Sequence, residues 1–248
     1  MSSDSMIMLR RNFKHTVRNP TALFNAILFP IVLMLMFVYV FGGAFDVGGA
    51  DYVDYATPGM LLMTVAYGLS ATAMAVNSDM TNGIINRLKV MDVSRGAVLT
   101  GHLVSTVVRS VAGLAAVVGV AFLMGFSPSA TVLQWLAAIG ILVLTVVAVG
   151  WLTVALGLVA KTAESAGFTT VPLIMLPFFS SAIVPAEKMG AGVREFAEYQ
   201  PFTPIIESVR GLLNGTPSTG DIVAAVAWGA GIAVVGYVWA VATFRKRA

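Results

Sequence analysis

The chain of 248 residues contains no cysteine and only two histidines. The first absence removes disulfides, thiolate metal sites and thiol nucleophiles. The second leaves few imidazoles for metal binding or proton transfer. Charge is scarce as well: Asp, Glu, Lys and Arg make up 11% of the chain, against roughly 25% in an ordinary soluble protein. A soluble fold of this size covers itself with ionic groups, and here there are too few. Disorder is excluded too, because it requires low hydrophobicity and high charge. Apolar residues are abundant instead: 58% are hydrophobic, with 24 glycines besides, and the mean hydropathy is +0.87. The composition describes an integral membrane protein, read here as all-α.

Gaps between charges count the crossings. A helical span needs about 20 largely apolar residues to cross a hydrocarbon core about 30 Å thick. Arg18 to Asp46 encloses 27 uncharged residues, Asp54 to Asp79 encloses 24, Glu164 to Glu187 encloses 22 and Asp221 to Arg245 encloses 23. Arg109 to Lys161 encloses 51, enough for two helices, and Phe126-Ser-Pro-Ser129 breaks that run. Six transmembrane helices are expected, near 22–44, 55–77, 104–126, 132–159, 166–184 and 222–244, in a single domain over 1–248. Six crossings put both termini on one side. With the N-terminus cytoplasmic, inside segments hold eleven Lys and Arg and outside segments hold three, Lys188, Arg194 and Arg210, the positive-inside pattern. The net charge of +3 then reflects topology and anionic lipid headgroups, not nucleic acid. The long polar N-terminus and the lack of a small-residue cleavage site argue against a cleaved signal peptide.

Three segments outside the spans are informative. In residues 5–18, Met6, Leu9, Phe13 and Val17 recur at helical steps among Arg10, Arg11, Lys14 and Arg18, which describes a helix lying in the cytoplasmic interface. Asn19-Pro20 ends it. In the cytoplasmic loop 78–103, Ile84, Ile85, Leu88 and Met91 form an apolar stripe beside Arg87, Lys89 and Asp92. That short amphipathic helix either floats at the headgroups or docks a soluble partner, and Val93-Ser94-Arg95-Gly96 reads as a turn. In the outer loop 185–221, Met189, Val193 and Phe196 make one helical stripe and Ile205, Ile206, Val209, Leu212 and Leu213 another. Thr203 suits an N-cap before Pro204, and Asn214-Gly215 a left-handed stop. Pro172 and Pro177 predict a kink in the fifth span.

Catalytic chemistry is hard to find. His15 and His102 have no carboxylate or second histidine at ligand spacing, and Asp46, Asp51 and Asp54 read as a solvated loop. No catalytic, cofactor-binding or metal-binding residue is assigned. No Asp or Glu falls within the six spans, whereas an ion-coupled carrier usually holds ionisable groups there. Arg109 alone lies inside, about 9 Å from the expected start of its helix. It either has a function or snorkels back to the headgroups, and snorkelling is the reading favoured here. Gly96 to Leu103 has the glycine spacing of a phosphate loop but lacks its lysine and hydroxyl, so any energy for uphill transport enters through another chain.

Four motifs, taken in order, resemble a known family. They are Arg18-Asn19-Pro20; Tyr55-Ala-Thr-Pro58-Gly59; Gly83-Ile-Ile-Asn-Arg87-Leu88 with Val93-Ser94-Arg95 and then His102, where a basic residue is typical; and Ser180 to Pro185, Gln200 to Pro204 and Glu207 to Gly215. Together they are similar to a permease subunit of the type-2 ABC exporters, in particular the daunorubicin-resistance-like branch. The resemblance implies a non-catalytic transport subunit in the cytoplasmic membrane of a prokaryote, surrounded by lipid. Its partners would be a second permease, identical or a paralogue, and a nucleotide-binding ATPase subunit that carries the ATP and Mg. The cargo would be a drug or a hydrophobic, amphipathic or lipid-like molecule, moved outward. By the same resemblance, Arg87, Leu88, Lys89, Asp92, Ser94 and Arg95 would face the ATPase. Phe29, Met60, Met63, Tyr67 and Phe178 would line the substrate path. Pro20, Pro58, Gly59, Pro185, Pro201, Pro204, Arg210 and Gly215 would be structural. A stand-alone carrier or channel is the main alternative, and a membrane transferase the third.

Overall fold

The computed structural model describes residues 20–44, 51–81 and 95–247, with side chains described over 28–44, 51–81 and 99–246. Every regular element among the described residues is helical. Helix α1, Pro20–Leu35, continues into a π-helical turn, Met36–Phe41, six residues beyond Pro30. Proline removes one backbone donor and crowds the preceding turn. Helices α2, Tyr52–Tyr67, and α3, Leu69–Thr81, are separated by Gly68 alone, which keeps helical φ and ψ, so that together they run as one span, Tyr52–Thr81, where one was expected. Helix α4, Arg95–Leu123, begins about nine residues before its expected start near 104, and Arg95 opens the helix instead of sitting in a turn. Helix α5, Val132–Val159, starts on a capping box in which the Thr131 N–H donates to Gln134 Oε1 at 2.7 Å and the Gln134 N–H to Thr131 Oγ1 at 3.4 Å.

The fifth expected span is in pieces: α6, Ala163–Thr169; α7, Val171–Met175; and a 3-10 turn, Leu176–Phe179. Pro172 and Pro177 each lack an N–H, so no continuous α-helical ladder can pass through them. The outer segment contains a 3-10 turn, Ala186–Lys188, then α8, Val193–Tyr199, and α9, Phe202–Leu213. Helix α9 begins before the expected Thr203 cap. Pro201 holds the N-cap position and Pro204 sits third in the helix, where its missing N–H would have had no intrahelical acceptor anyway. Gly215 ends it at φ +74°, a conformation open to glycine at no steric cost. Helix α10, Thr219–Arg247, is the last element.

Helix α2 lies at the centre of the packing, against α1, α4 and α9. From Tyr52 to Ala66 every side chain except that of Asp54 is buried. Helix α5 packs along α10 on one side and α3 on the other. Helix α9, expected to lie on the membrane or dip into it, buries most of its length in the core with Ile205, Ile206 and Leu213 nearly inaccessible. The outward faces are apolar as well: Leu123, Val132, Leu133 and Leu136 are exposed where α4 ends and α5 begins, and Val223, Val234, Val235 and Val238 on α10. Among the described residues, four helices are long and apolar enough to cross a membrane: Tyr52–Thr81, Leu99–Leu123, Val132–Val159 and Thr219–Lys246. Ala163–Phe179 is a shorter apolar stretch, and Leu28–Phe41 is the apolar part, with described side chains, of the helix that runs on from Pro20. A continuous apolar exterior of this extent requires lipid around it.

Candidate functional site

The functional residues fall at three levels of the helix array. At the start of α2, the buried Arg210 of α9 ties three segments together. Its Nε donates to Tyr55 O at 3.1 Å and its Nη2 to Ser181 O at 2.7 Å, while Nη1 pairs with Glu207 one turn back. The guanidinium carbon stands 3.8 Å from the centre of the Tyr55 ring, a cation–π distance. Tyr55 Oη donates to Ser181 O at 2.9 Å and Tyr52 Oη to Ile183 O at 3.2 Å. Gln200 Nε2 reaches Leu176 O and Phe179 O, each at 3.3 Å. Gly59 is what lets the 180–185 segment approach: a Cβ there would stand 2.4 Å from Ala182 O and 2.6 Å from its Cα. Gly59→Ala should therefore cost about 1–3 kcal/mol through overpacking against backbone. A thermal melt in detergent checks it, and an unchanged midpoint would refute the close approach.

The second and fourth motifs thus converge in space around Tyr55, Gly59 and Arg210, with Pro58 buried among them and Pro185 just before the 3-10 turn Ala186–Lys188. Pro20 opens α1, but its side chain lies outside the described set. Asp54, expected in a solvated loop, accepts from the Ser127 N–H at 2.9 Å and from Ser127 Oγ at 3.2 Å. It fastens the α4–α5 turn to α2. On the exposed α8, Gly192 N–H donates to Glu195, and this bond with the residue's own amide holds the Glu195 carboxyl below the usual range.

At mid-depth, Phe29 of α1 and Tyr67 of α2 pair with ring centroids 4.5 Å apart. Phe29 is exposed and Tyr67 half-buried. Met60 and Met63, expected on the path, are instead wholly enclosed, because α2 is surrounded on all sides by α1, α4 and α9. Phe178 is half-buried in the 3-10 turn after α7. Arg109 reaches sideways to the neighbouring helices. Its Nη2 donates across to Gly68 O at 2.8 Å and to Thr72 Oγ1 at 2.6 Å.

At the far ends of α3 and α4, His102 Nε2 lies 3.2 Å from Asp79 Oδ2, and both side chains are largely buried. Asn77 Nδ2 donates to Gly157 O at 3.1 Å and to Ala160 O at 2.7 Å, tying α3 to the end of α5. Sequence spacing missed both contacts, since Asp79 stands 23 positions from His102 and Asn77 lies 80 from Gly157. A charge at the end of one span facing a basic residue at the start of the next, in an antiparallel hairpin, was the available signal. The expected ATPase-facing residues Arg87, Leu88, Lys89, Asp92 and Ser94, and the interfacial helix over 5–18, lie outside the described residues. For Arg95 only the backbone, at the start of α4, is described.

Residues 4–214 match the ABC-2 type transporter family. The chain belongs to it. It is 30% identical to the daunorubicin resistance ABC transporter permease protein DrrB1 of Streptomyces coeruleorubidus, over 90% of this chain and 78% of that one. It is 26% identical to the probable doxorubicin resistance ABC transporter permease protein DrrC of Mycobacterium tuberculosis, over 94% of this chain and 85% of the relative. The ABC-2 match takes in α1 to α9 and stops just before Gly215, so all three levels lie within the shared segment and α10 follows it. This is a multi-pass membrane subunit of an ABC transporter. Arg210, Asn77 and Asp54 are each spent on backbone groups of another segment.

Proposed function

We propose that this permease is the membrane half of an ATP-driven exporter that carries a drug or an amphipathic, lipid-like molecule outward across the cytoplasmic membrane. The chain crosses six times with both termini inside, the two other apolar stretches completing the four long helices. It pairs with a second permease, and each copy receives a nucleotide-binding subunit that holds ATP and Mg and performs the hydrolysis. The observation that carries the reading is the family match over 4–214, with relatives named for resistance to daunorubicin and doxorubicin. The arrangement of α3 and α4 supports it: they end together at Asp79 and His102 and bracket the loop that holds Arg87, Lys89 and Asp92. A push on that loop would be delivered to the two helices joined at Arg109. Phe29 and Tyr67, on α1 and α2, then stand as the path residues.

The test is purification of the tagged chain from native membranes with stoichiometry by native mass spectrometry. The expected species has two permeases and two ATPase subunits. Combining Arg87→Glu with Lys89→Glu should strip the ATPase from the complex or leave hydrolysis uncoupled from transport. Recovery of the permease alone after mild crosslinking, with transport driven by an ion gradient, would replace the exporter with a stand-alone carrier.

A further inference from the structure

Arg109 is the fifteenth residue of the 29-residue helix α4, Arg95–Leu123, about 21 Å along the helix from its start. A guanidinium at that depth is costly, and one left without a counter-charge is retained for a reason. No carboxylate among the described residues lies within ion-pair distance of Arg109. Its two hydrogen bonds both use Nη2, and Nε is buried without any partner.

The surroundings are a junction of interrupted helices. Gly68 separates α2 from α3, and Thr170 separates α6 from α7. The two breaks touch, Ser70 Oγ lying 2.7 Å from Thr170 Oγ1. Thr72 Oγ1 is 2.8 Å from Thr106 Oγ1, and Ser110 is buried one residue from Arg109 on the same helix. A guanidinium and several hydroxyls therefore meet where two helical ladders are locally interrupted, at Gly68 and Thr170, with the Phe29–Tyr67 ring pair immediately before the first. Interrupted helices at mid-membrane are where transporters place polar substrate groups. A guanidinium with unused N–H groups favours oxyanions, which it binds with charge-assisted bonds.

We infer that Arg109, with Ser70 and Thr72, forms a mid-membrane site for the oxyanion of an amphiphile, a phosphate or carboxylate carried on an apolar tail. The inference rests on the exporter reading for its purpose: an anionic headgroup crossing between permeases needs a cation halfway. Its chemistry is independent of that reading. The Gly68 carbonyl and Thr72 hydroxyl aim the guanidinium, and the ligand supplies the missing negative charge.

The experiment uses the full chain in phosphatidylcholine nanodiscs, titrated with fluorescently labelled dodecyl phosphate and with the matching labelled dodecanol, empty discs subtracted. The wild type is expected to bind the phosphate about tenfold more tightly than the alcohol, a difference of about 1.4 kcal/mol. Arg109→Gln should erase that preference at an unchanged melting temperature, and Arg109→Lys should keep part of it. Displacement by inorganic phosphate would identify a site that also takes free phosphate. Failure to displace would identify one that requires the tail, as a lipid does. Equal binding of both probes by the wild type, or a preference that survives Arg109→Gln, overturns the site. If Arg109→Gln does not fold, Arg109→Lys decides: a folded variant without preference overturns it. Native mass spectrometry keeps the two readings apart. A phosphate preference with no ATPase bound keeps the site and removes the exporter, and the reverse pair of results does the opposite.

Discussion

Arg210→Ala is expected to loosen the outer end of α2 and lower the stability of the permease by about 3–5 kcal/mol. The guanidinium is buried and serves Tyr55 O, Ser181 O and Glu207 while lying over the Tyr55 ring. Truncation removes the second donor from the Tyr55 carbonyl, leaves Ser181 O with only the Tyr55 hydroxyl, and opens a cavity in a packed region. Glu207 is about one-third exposed, so its charge can rehydrate, which keeps the loss at the lower end of that range. At about 2–4 °C per kcal/mol for a chain of this length, a thermal melt in detergent should fall by roughly 10 °C. Arg210→Lys retains the charge but not the fork and should fall between. Arg194→Ala is the control: its partner Glu198 lies 2.7 Å away, but both are well exposed, and such pairs contribute little. A wild-type melting curve for Arg210→Ala would mean that α9 and the 180–185 segment hold α2 through apolar contact alone.

The contrast between Arg210 and Arg109 shows what was legible in the sequence. Arg210 falls in a motif whose neighbours, Tyr55, Gly59 and the 180–185 segment, could be named beforehand, although their convergence on one guanidinium could not. For Arg109 the helix boundary differed. The span was expected to start near 104, yet the helix begins at Arg95, and the arginine lies midway along it. The local interruption at Gly68 gave no warning either, since one glycine in an apolar run is compatible with an unbroken span. Where both ends carried a stop signal the reading was sound: Ser-Pro-Ser before Val132 and Lys161 after Val159 set α5 to the residue. The fifth span announced its break through two prolines. Which hydroxyls the break would bring together depended on packing, and packing between segments a hundred residues apart is absent from local spacing.

The contact between Asp79 and His102 carries the second large effect, and it concerns coupling more than stability. The pair closes the ends of α3 and α4 around the loop expected to meet the ATPase, with His102 Nε2 and Asp79 Oδ2 3.2 Å apart. Asn77, one half-turn earlier, anchors the same end of α3 to α5. A force applied to the loop therefore enters two helices fixed to each other, and these same helices meet again at Gly68 and Arg109. His102→Ala and Asp79→Ala should each lower transport per ATP hydrolysed by about tenfold, within the usual range of coupling energies. The ATPase should remain bound and the melting temperature close to that of the wild type. The double variant should lose less than the two single losses added together, since the two residues share the contact. His102→Arg, which restores a basic partner for Asp79, should recover most of the coupling. A merely structural contact would lower the melting temperature and leave the ratio of transport to hydrolysis alone. That result, or full coupling in His102→Ala, would place the transmission route elsewhere, with the interfacial segment over 5–18 and α1 as the remaining lever.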